Sequence, residues 1–405
     1  MKWEKVKLGD VCEITSSKRI FYSEYVDDGV PFYRSKEIIE SDEGKIIENP
    51  LYISVDKYNE IKEKFGVPQT GDMLLTSVGT IGIPYIIKKK DCFYFKDGNL
   101  TWFRDFREGL NSKYLYYWIK SSEGTGTLYN TTIGSSQKAL TISALKNIKV
   151  SLPPRSVQDK IVEVVSVYDD LIENNQKQIK LLEEAAQRLY KEWFVDLRFP
   201  GRENTKIVDG VPEGWNWCKL EDAIQLDPKV TLTKERMKQF IPMSALSTSS
   251  MVLDESQFTE TTSNSGSKFQ NGDTLLARIT PCLENGKTAY VSGLKSDEGA
   301  VGSTEYIVMR AKTINSYMVY LLARTDDFRQ SAINSMSGSD GRQRVKSDKL
   351  KMLDYLHPAS ELVEKFENVE EPIFEKIYRL SKQMQQAKQA RDLLLPKLMS
   401  GEVEV

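Results

Sequence analysis

Apolar positions that alternate by four and three residues form the strongest pattern in the chain, within residues 151–200. The pattern follows Pro153-Pro154 and meets no proline or glycine until Pro200-Gly201. Such spacing is typical of the a and d positions of a coiled coil and predicts one long helix with a packing seam. Asn175 is the one polar member, and a polar seam residue can fix register. The predicted seam contains Ile161, Val165, Tyr168, Ile172, Asn175, Ile179, Leu182, Ala186, Leu189 and Trp193.

A second, weaker copy of this seam lies 205 residues later. Glu370 and Arg391 interrupt its apolar pattern, and Pro372 suits the first turn of a helix, so we expect this helix to begin near Pro372. We predict that the two helices, each about 45 Å long, pair as an antiparallel coiled coil. The alternative is that each packs on its own globular half. The second seam contains Phe366, Glu370, Ile373, Ile377, Leu380, Met384, Ala387, Arg391, Leu394 and Leu398.

The rest of the chain is also duplicated, because further matches occur in the same order at offsets of 201 to 212 residues. The shared features are a Trp-Leu-Asp spacing, a Gly-Asp turn before a short apolar segment, and a short amphipathic helix. The matched pairs are residues 3–10 with 215–222, 70–76 with 271–277, and 114–119 with 317–322.

Between the helices lie short β-rich segments with frequent glycine and serine turns. We therefore predict an α+β fold: two duplicated α/β domains separated by the two long helices. The predicted division is one domain over residues 1–150, a helix over 151–200, a second domain over 201–356, and a second helix over 357–405.

Composition narrows the possible functions. No apolar run is long enough to cross a membrane and no apolar signal region follows the N-terminus, so we expect a cytoplasmic protein. The four cysteines form no CxxC pair and there is one histidine, which gives no support for a metal site or for histidine-based catalysis. The net charge of −2 argues against non-specific nucleic-acid binding. A DNA-binding face would have to be a local patch, or partners would have to supply positive charge.

Polar loops at matching places in the two halves carry side chains suited to DNA. Arginine and lysine can bind guanine, glutamine can bind adenine, and hydroxyl groups can contact bases or phosphates. The alternative is a solvated polar loop. The candidates are Thr76, Ser77, Thr80, Ser135, Ser136, Gln137 and Lys138 in the first half, and Arg278, Thr280, Ser339, Arg342, Gln343 and Arg344 in the second.

Two other classes of protein remain open from the residues. Residues 284–288 resemble the end of a phosphate-binding loop, which would suit an NTPase, but Pro281 stands where that motif needs a glycine. A coiled-coil adaptor whose globular halves bind protein would also explain the duplication.

The order of motifs resembles the specificity subunit of Type I restriction-modification systems. The resemblance rests on residues 152–154, 158–161, 169–176 and 181–184 with Phe194, and on a strand-loop over 278–287 that adds Lys287 to the candidates. It implies that each half is a target recognition domain reading part of a bipartite, asymmetric site in double-stranded DNA. The helices would set the spacer and dock two modification (methyltransferase) subunits.

The resemblance also implies that this chain binds no cofactor and is not an enzyme. S-adenosylmethionine would belong to the modification subunits. ATP and Mg would belong to restriction subunits that translocate and cleave DNA, and the sequence leaves open whether such subunits accompany this chain.

Overall fold

The computed structural model describes residues 3–44, 47, 49–134, 138–338 and 343–405. The chain forms two compact units. The first unit joins Met1–Glu173 with Gln386–Val405, and the second is Asn174–Gln385. Each unit therefore contains one globular half and part of each long helix. No helix in the described residues is long and apolar enough to cross a membrane.

The first unit alternates short strands and helices before the first long helix. Its strands are β1 (Glu4–Lys7), β2 (Glu13–Thr15), β3 (Tyr25–Val26), β4 (Val30–Tyr33), β5 (Leu51–Ile53), β6 (Met73–Thr76), β7 (Pro84–Ile86), β8 (Tyr94–Phe95), β9 (Leu100–Arg104) and β10 (Lys149–Leu152). Its helices are α1 (Leu8–Val11), α2 (Ser35–Asp42), α3 (Val55–Phe65), α4 (Ser112–Lys120), α5 (Ser122–Thr131), α6 (Ile142–Asn147) and the start of α7 (Arg155–Tyr190).

The strands of the first unit form two four-stranded sheets and one two-stranded ribbon. One sheet is antiparallel with the order β2-β9-β6-β7, and the other has the order β3-β5-β4-β8 with β4 and β8 parallel. The ribbon pairs β1 with β10. One face of β2-β9-β6-β7 packs on α4, whose Tyr114, Leu115 and Trp118 are almost completely buried. This core fixes the loops at the strand ends.

The second unit repeats most of this order, but its described residues contain no α-helices at the places of α2 and α3, and it begins with an additional β-hairpin. Its strands are β11 (Ile207–Val208), β12 (Val211–Pro212), β13 (Asn216–Lys219), β14 (Ile224–Leu226), β15 (Lys238–Ile241), β16 (Thr259–Thr261), β17 (Ser267–Phe269), β18 (Thr274–Ala277), β19 (Thr288–Tyr290), β20 (Ala300–Gly302), β21 (Tyr306–Ala311) and β22 (Asp354–His357). Its helices are α8 (Leu220–Ala223), α9 (Ser316–Arg324), α10 (Asp326–Asn334), α11 (Ser347–Lys351) and most of α12 (Ser360–Ser400).

Two sheets of the second unit repeat the topology of the first, whereas a third differs in the place of one edge strand: β17 pairs with β20, while β3 of the first unit pairs with β5. The order β14-β21-β18-β19 repeats β2-β9-β6-β7, and the pair β13-β22 repeats β1-β10. The other sheet, β16-β15-β20-β17, again has one parallel pair, between β15 and β20. The two units therefore share one architecture, as the internal repeat predicts, and the predicted α+β class is confirmed.

The repeated Gly-Asp turn has the same physical basis in both units. Gly71 and Gly272 have φ angles of +93° and +87°, which favour glycine. The next residue accepts a backbone hydrogen bond that closes the turn: Asp72 from the N–H of Gln69, and Asp273 from the N–H of Gln270. The turn thus starts the central strand, β6 or β18, in a defined direction.

In the first unit, the early part of α7 packs on the late part of α12 in the opposite direction. Ile161 and Val165 share a hydrophobic core with Leu395 and Leu398. Arg391, which interrupts the seam, lies 2.7 Å from a carboxylate oxygen of Asp169. Burial lowers the pKa of Arg391, but its bonds to Asp169 and Asp392 outweigh burial and raise it. The charged seam position is therefore an ion pair in this unit.

In the second unit, the late part of α7 packs on the early part of α12, again antiparallel. The rings of Tyr190, Trp193 and Phe194 surround Phe366 with centroid distances of 4.8–6.1 Å. The amide of Asn175 donates to the carbonyl of Leu380 at 3.5 Å. The predicted antiparallel pairing of the helices is thus present within each unit.

The expected start of the second helix near Pro372 is wrong. The helix begins at Ser360 and continues through Pro372, which is exposed and lacks the N–H that the backbone ladder would use. Leu362, Val363 and Phe366 precede the proline and lie in the core of the second unit. Their burial outweighs the lost hydrogen bond, so the helix extends further toward its N-terminus than proline placement indicates.

Glu370 is fully buried in the seam of the second unit, and neither carboxylate oxygen has a hydrogen-bond partner among the described residues. Burial raises its pKa from 4.5 to about 7. The neutral acid is therefore the form that the folded state prefers. The contribution of this preference to stability is complete below pH 4.5 and is lost as the pH rises through 7.

We predict that Glu370→Gln removes this pH dependence. The free energy of unfolding of the variant, relative to the unmodified protein, should rise by about 3 kcal/mol between pH 4.5 and pH 8. Urea unfolding at several pH values measures the difference. Glu364→Gln, the control, changes an exposed residue of the same helix. Its difference in free energy of unfolding from the unmodified protein should not vary with pH. A constant difference for Glu370→Gln would show that the carboxyl titrates normally.

Candidate functional site

Two loops of the first unit lie side by side and carry the first-half candidates. We call residues 77–83, between β6 and β7, the first strand loop, and residues 132–141, between α5 and α6, the first helix loop. Ile133 and Ala139 exchange two backbone hydrogen bonds of 2.9 Å. The N–H of Leu140 donates to the carbonyl of Ser77 at 2.9 Å and joins the two loops.

The second unit joins its corresponding loops in the same way. Residues 278–287 form the second strand loop, and residues 335–346 form the second helix loop. Ser337 and Arg344 exchange backbone hydrogen bonds of 3.0 and 3.1 Å, and the N–H of Val345 donates to the carbonyl of Arg278 at 2.9 Å. These bonds correspond one for one with those of the first unit. The sequence repeat therefore extends to the candidate loops, while the side chains on them differ.

The structure does not support base contacts by Thr76 and Ser77. Their exposed fractions are 0% and 1%. The hydroxyl of Thr76 accepts from the N–H of Ile83 at 2.9 Å, and the hydroxyl of Ser77 lies 2.7 Å from that of Thr101. Both side chains are buried and stabilise the strand loop through these hydrogen bonds. Thr80, at the tip of the same loop, is exposed and free to face a ligand.

Lys138 is half-buried, and its ammonium lies 3.6 Å from the centre of the Tyr129 ring. Tyr129 is 64% exposed, and its hydrogen bond with Lys138 lowers its pKa. A half-exposed cation on an exposed aromatic ring is suited to phosphate or base contact. Sequence reasoning missed Tyr129 because it lies in the last turn of α5, just before the helix loop and outside the polar segment that drew attention. The predicted contacts Ser135, Ser136 and Gln137 lie outside the described residues.

A cavity of about 820 Å³ lies in the first unit beside its strand loop. Ile81, Leu128 and Leu395 contribute apolar walls, and Lys120 and Lys138 contribute positive charge. The strand loop of the second unit is three residues longer, with ten residues against seven. Its Leu283 is completely buried. The two loops therefore differ in length and packing as well as in charge.

Lys287 and Arg278 are largely engaged inside the second unit. The ammonium of Lys287 donates to the carbonyl of Met243 at 2.9 Å, and the guanidinium of Arg278 donates to the hydroxyl of Ser347 at 3.1 Å. Thr288 begins strand β19, whereas the resembled phosphate-binding motif leads into a helix. The phosphate-binding-loop interpretation is thus wrong. Lys287 supports its loop. Thr280 is half-buried, its N–H donates to the carbonyl of Gln343 at 3.2 Å, and its hydroxyl is buried.

Arg344 is the most accessible of the described candidates in the second unit, with 48% of its side chain exposed. Its Nε and Nη2 atoms donate to Glu305 at 2.7–3.0 Å in a two-pronged ion pair. The hydrogen bond from Arg344 lowers the pKa of Glu305, so this carboxylate is charged near neutral pH. Gln343 is half-buried beside it. Ser339 and Arg342 lie outside the described residues.

Metal and thiol chemistry have little basis in the part of the chain that the structure describes. It contains no group of three or more His, Cys, Asp and Glu side chains placed to hold a metal ion. All four cysteines are free thiols, with Cys12 buried and Cys92 exposed. Burial raises the pKa of Cys12 to about 12, which keeps it protonated and unreactive.

Comparisons with known proteins agree on one family. The family model described as Type I restriction modification DNA specificity domain matches residues 1–184. The MjaIX specificity subunit of Methanocaldococcus jannaschii is 27% identical over 100% of this chain and 94% of its own length. The EcoAI specificity subunit of Escherichia coli is 35% identical over 33% of this chain and 24% of its own length.

A solved structure shows the same fold. The S subunit of a Type I restriction-modification system from M. genitalium aligns with a TM-score of 0.59 at 14% identity. The alignment covers 98% of this chain and 96% of that one.

We predict that Thr76 stabilises the first strand loop. Thr76→Val keeps the shape of the side chain but leaves the N–H of Ile83 without its partner, so the free energy of unfolding should fall by about 1–3 kcal/mol. Urea unfolding of the purified protein measures the change. Thr80→Val alters an exposed position of the same loop and should leave stability within error. Equal stabilities for Thr76→Val and the unmodified protein would contradict the supporting role.

Proposed function

Because the chain belongs to the family of Type I restriction-modification specificity subunits, we propose that it selects a split target in double-stranded DNA, with one half-site read by each globular half. It is the DNA-recognition component and is not itself an enzyme. The observation that carries the proposal is the repeated pairing of a strand loop with a helix loop in both units. A shared backbone with different side chains is suited to reading two different half-sites.

The side chains at equivalent loop positions support an asymmetric target. Arg344 of the second unit makes the backbone bridge that Ala139 makes in the first, and Arg278 takes the place of Ser77. The exposed members are Thr80 and Tyr129 in the first unit and Arg344 in the second, and Lys138 of the first unit is half-exposed. Hydroxyl, lysine and arginine donors favour different bases, so the half-sites should differ.

The proposal gives α7 and α12 two tasks. They would set the unread gap between the half-sites, and they would dock two modification subunits that methylate adenine with S-adenosylmethionine. ATP and Mg would be bound by restriction subunits where a system includes them, and none of these groups by this chain. The complex would work in the cytoplasm, where the DNA is accessible.

The net charge of the chain is consistent with a DNA-recognition subunit whose partners supply much of the affinity for DNA. Its net charge is −2, and Arg344, the most exposed of the described second-unit candidates, is paired with Glu305. Phosphate contacts supply most non-specific affinity for DNA and need unpaired cations. The modification subunits would therefore supply many of the contacts with the DNA phosphates.

We predict that methylation of a split sequence depends on this chain. Cells that carry it with its neighbouring methyltransferase should show methylated adenine in a motif of two specified halves and a fixed gap. Cells lacking only this chain should lose that motif. Genome-wide detection of methylated adenine measures both. Identical methylation in the two strains would contradict the proposal.

We predict that the helices act as a ruler. Asn175 bonds to Leu380, so repeating residues 175–181 in α7 and 374–380 in α12 adds facing heptads without breaking register. Seven residues lengthen a helix by about 10 Å, or about three base pairs. The methylated motif should keep both half-sites and gain about three base pairs of gap.

The matched control repeats residues 175–181 in α7 alone, which shifts one helix against the other and should abolish methylation. An unchanged gap after the double insertion, or changed bases in either half-site, would contradict the prediction that the helices set the gap.

A further inference from the structure

The ion pair between Glu305 and Arg344 leaves one edge of the guanidinium open. Glu305 takes the edge formed by Nε and Nη2. A guanidinium has five N–H donors in a fixed fork, so Nη1 and the outer hydrogen of Nη2 remain as a second pair of donors. Within the described residues, Nη1 donates no hydrogen bond. Two parallel donors on a half-exposed side chain can hold two adjacent acceptors.

Glu305 itself is fixed in place. It precedes strand β21, its carbonyl accepts from the N–H of Arg278 at 2.9 Å, and its N–H donates to the hydroxyl of Ser303 at 3.2 Å. Only 24% of its side chain is exposed. An arginine held by such a carboxylate has lost much of its rotamer freedom before it meets a ligand, which favours binding.

We propose that Glu305 is a positioning residue that presents Arg344 to a guanine in the half-site read by the second unit. Guanine offers two acceptors, O6 and N7, in the major groove, whereas adenine offers one acceptor and one donor. The open edge of Arg344 matches guanine alone among the four bases. This inference rests on the proposed function and adds a residue, a base and a half-site to it.

The paired charge favours base reading over phosphate contact. An arginine that grips phosphate gains affinity by releasing counterions, and a bidentate carboxylate partner removes most of that gain. Glu305 would also repel a phosphate brought close to Arg344. A base edge carries no net charge, so the pair can meet it without this repulsion.

The first unit has no equivalent pair, which provides an internal reference. Asn99 corresponds to Glu305, because its carbonyl accepts from the N–H of Ser77 just as the carbonyl of Glu305 accepts from the N–H of Arg278. Ala139 corresponds to Arg344. Both the carboxylate and the guanidinium are therefore missing from the corresponding place. A change in the pair should alter one half-site and leave the other as it was.

The test uses this chain assembled with its methyltransferase subunits. Methylation of the natural motif is first mapped in cells. Initial methylation rates are then measured on duplexes in which one base pair at a time is replaced. Arg344→Ala identifies the position that Arg344 reads. Glu305→Gln keeps the size of the side chain and removes its charge. Glu298→Gln, in the surface pair with Arg236 outside the long helices and the strand and helix loops, is the matched control.

We expect the position identified by Arg344→Ala to be a G·C pair in the natural motif. Discrimination against other pairs there should fall about 10- to 100-fold in Arg344→Ala and about tenfold in Glu305→Gln. Discrimination in the other half-site should stay unchanged in both, and Glu298→Gln should match the unmodified complex. A merely structural ion pair would instead lower rates on all duplexes alike.

Three results would overturn the inference. The position read by Arg344 could be a pair other than G·C. Glu305→Gln could leave discrimination intact while Arg344→Ala removes it. Glu305→Gln could raise affinity for all sequences with a steeper salt dependence, which would make Arg344 a phosphate contact. In each case a split motif directed by this chain would leave the proposed function standing, whereas absence of any such motif would refute both.

Discussion

Backbone hydrogen bonds between a strand loop and a helix loop are the constraint on which the candidate site depends. The bond from Leu140 to Ser77 in the first unit, and from Val345 to Arg278 in the second, uses no side-chain atoms. The shape of the exposed edge is therefore largely independent of which side chains it carries. A surface built this way can change its residues without changing its scaffold, and the paired loops of the two units are two such versions.

The polar groups buried beneath that scaffold obey a stricter rule, because each must find a partner or carry a cost. Thr76, Ser77, Asp72 and Asp273 all find one, and they hold the turns and loops that the sheets present. In the second unit the carboxylate of Glu370 finds none among the described residues, and neither do the buried hydroxyls of Thr274 and Thr280. The helix seam thus contains both a satisfied polar residue, Asn175, and an unsatisfied one. Polar seam positions commonly select one pairing of helices at some expense of stability.

Sequence reasoning predicted the features that repeat or have a period. The heptad of α7, the Gly-Asp turns and the duplication are local or periodic patterns, so they can be read without coordinates. The start of α12 was mispredicted because local proline preference gave way to burial of Phe366, a tertiary effect. Thr76 and Ser77 were mistaken for surface residues because hydroxyl side chains suit both a binding loop and a buried turn.

The partner of Arg344 could not be predicted for a related reason. Glu305 lies 39 residues away in sequence, and only the sheet topology brings the two together. Tyr129 escaped notice because its helix gives no sign of which residues flank the loops. Side-chain pairs across a fold have no signature in a single sequence, whereas the backbone framework that hosts them does.

The composition of the first unit has a consequence for how the chain folds as it is made. Its core includes Leu395, Leu398 and Met399, which are synthesised long after Ile161 and Val165. At roughly 5–20 residues per second, a ribosome needs on the order of 10–40 s to go from residue 173 to residue 386. Throughout that interval the apolar face of α7 has been made but its covering residues have not. The unit that emerges first is therefore the one that is finished last, so its exposed face needs protection during translation.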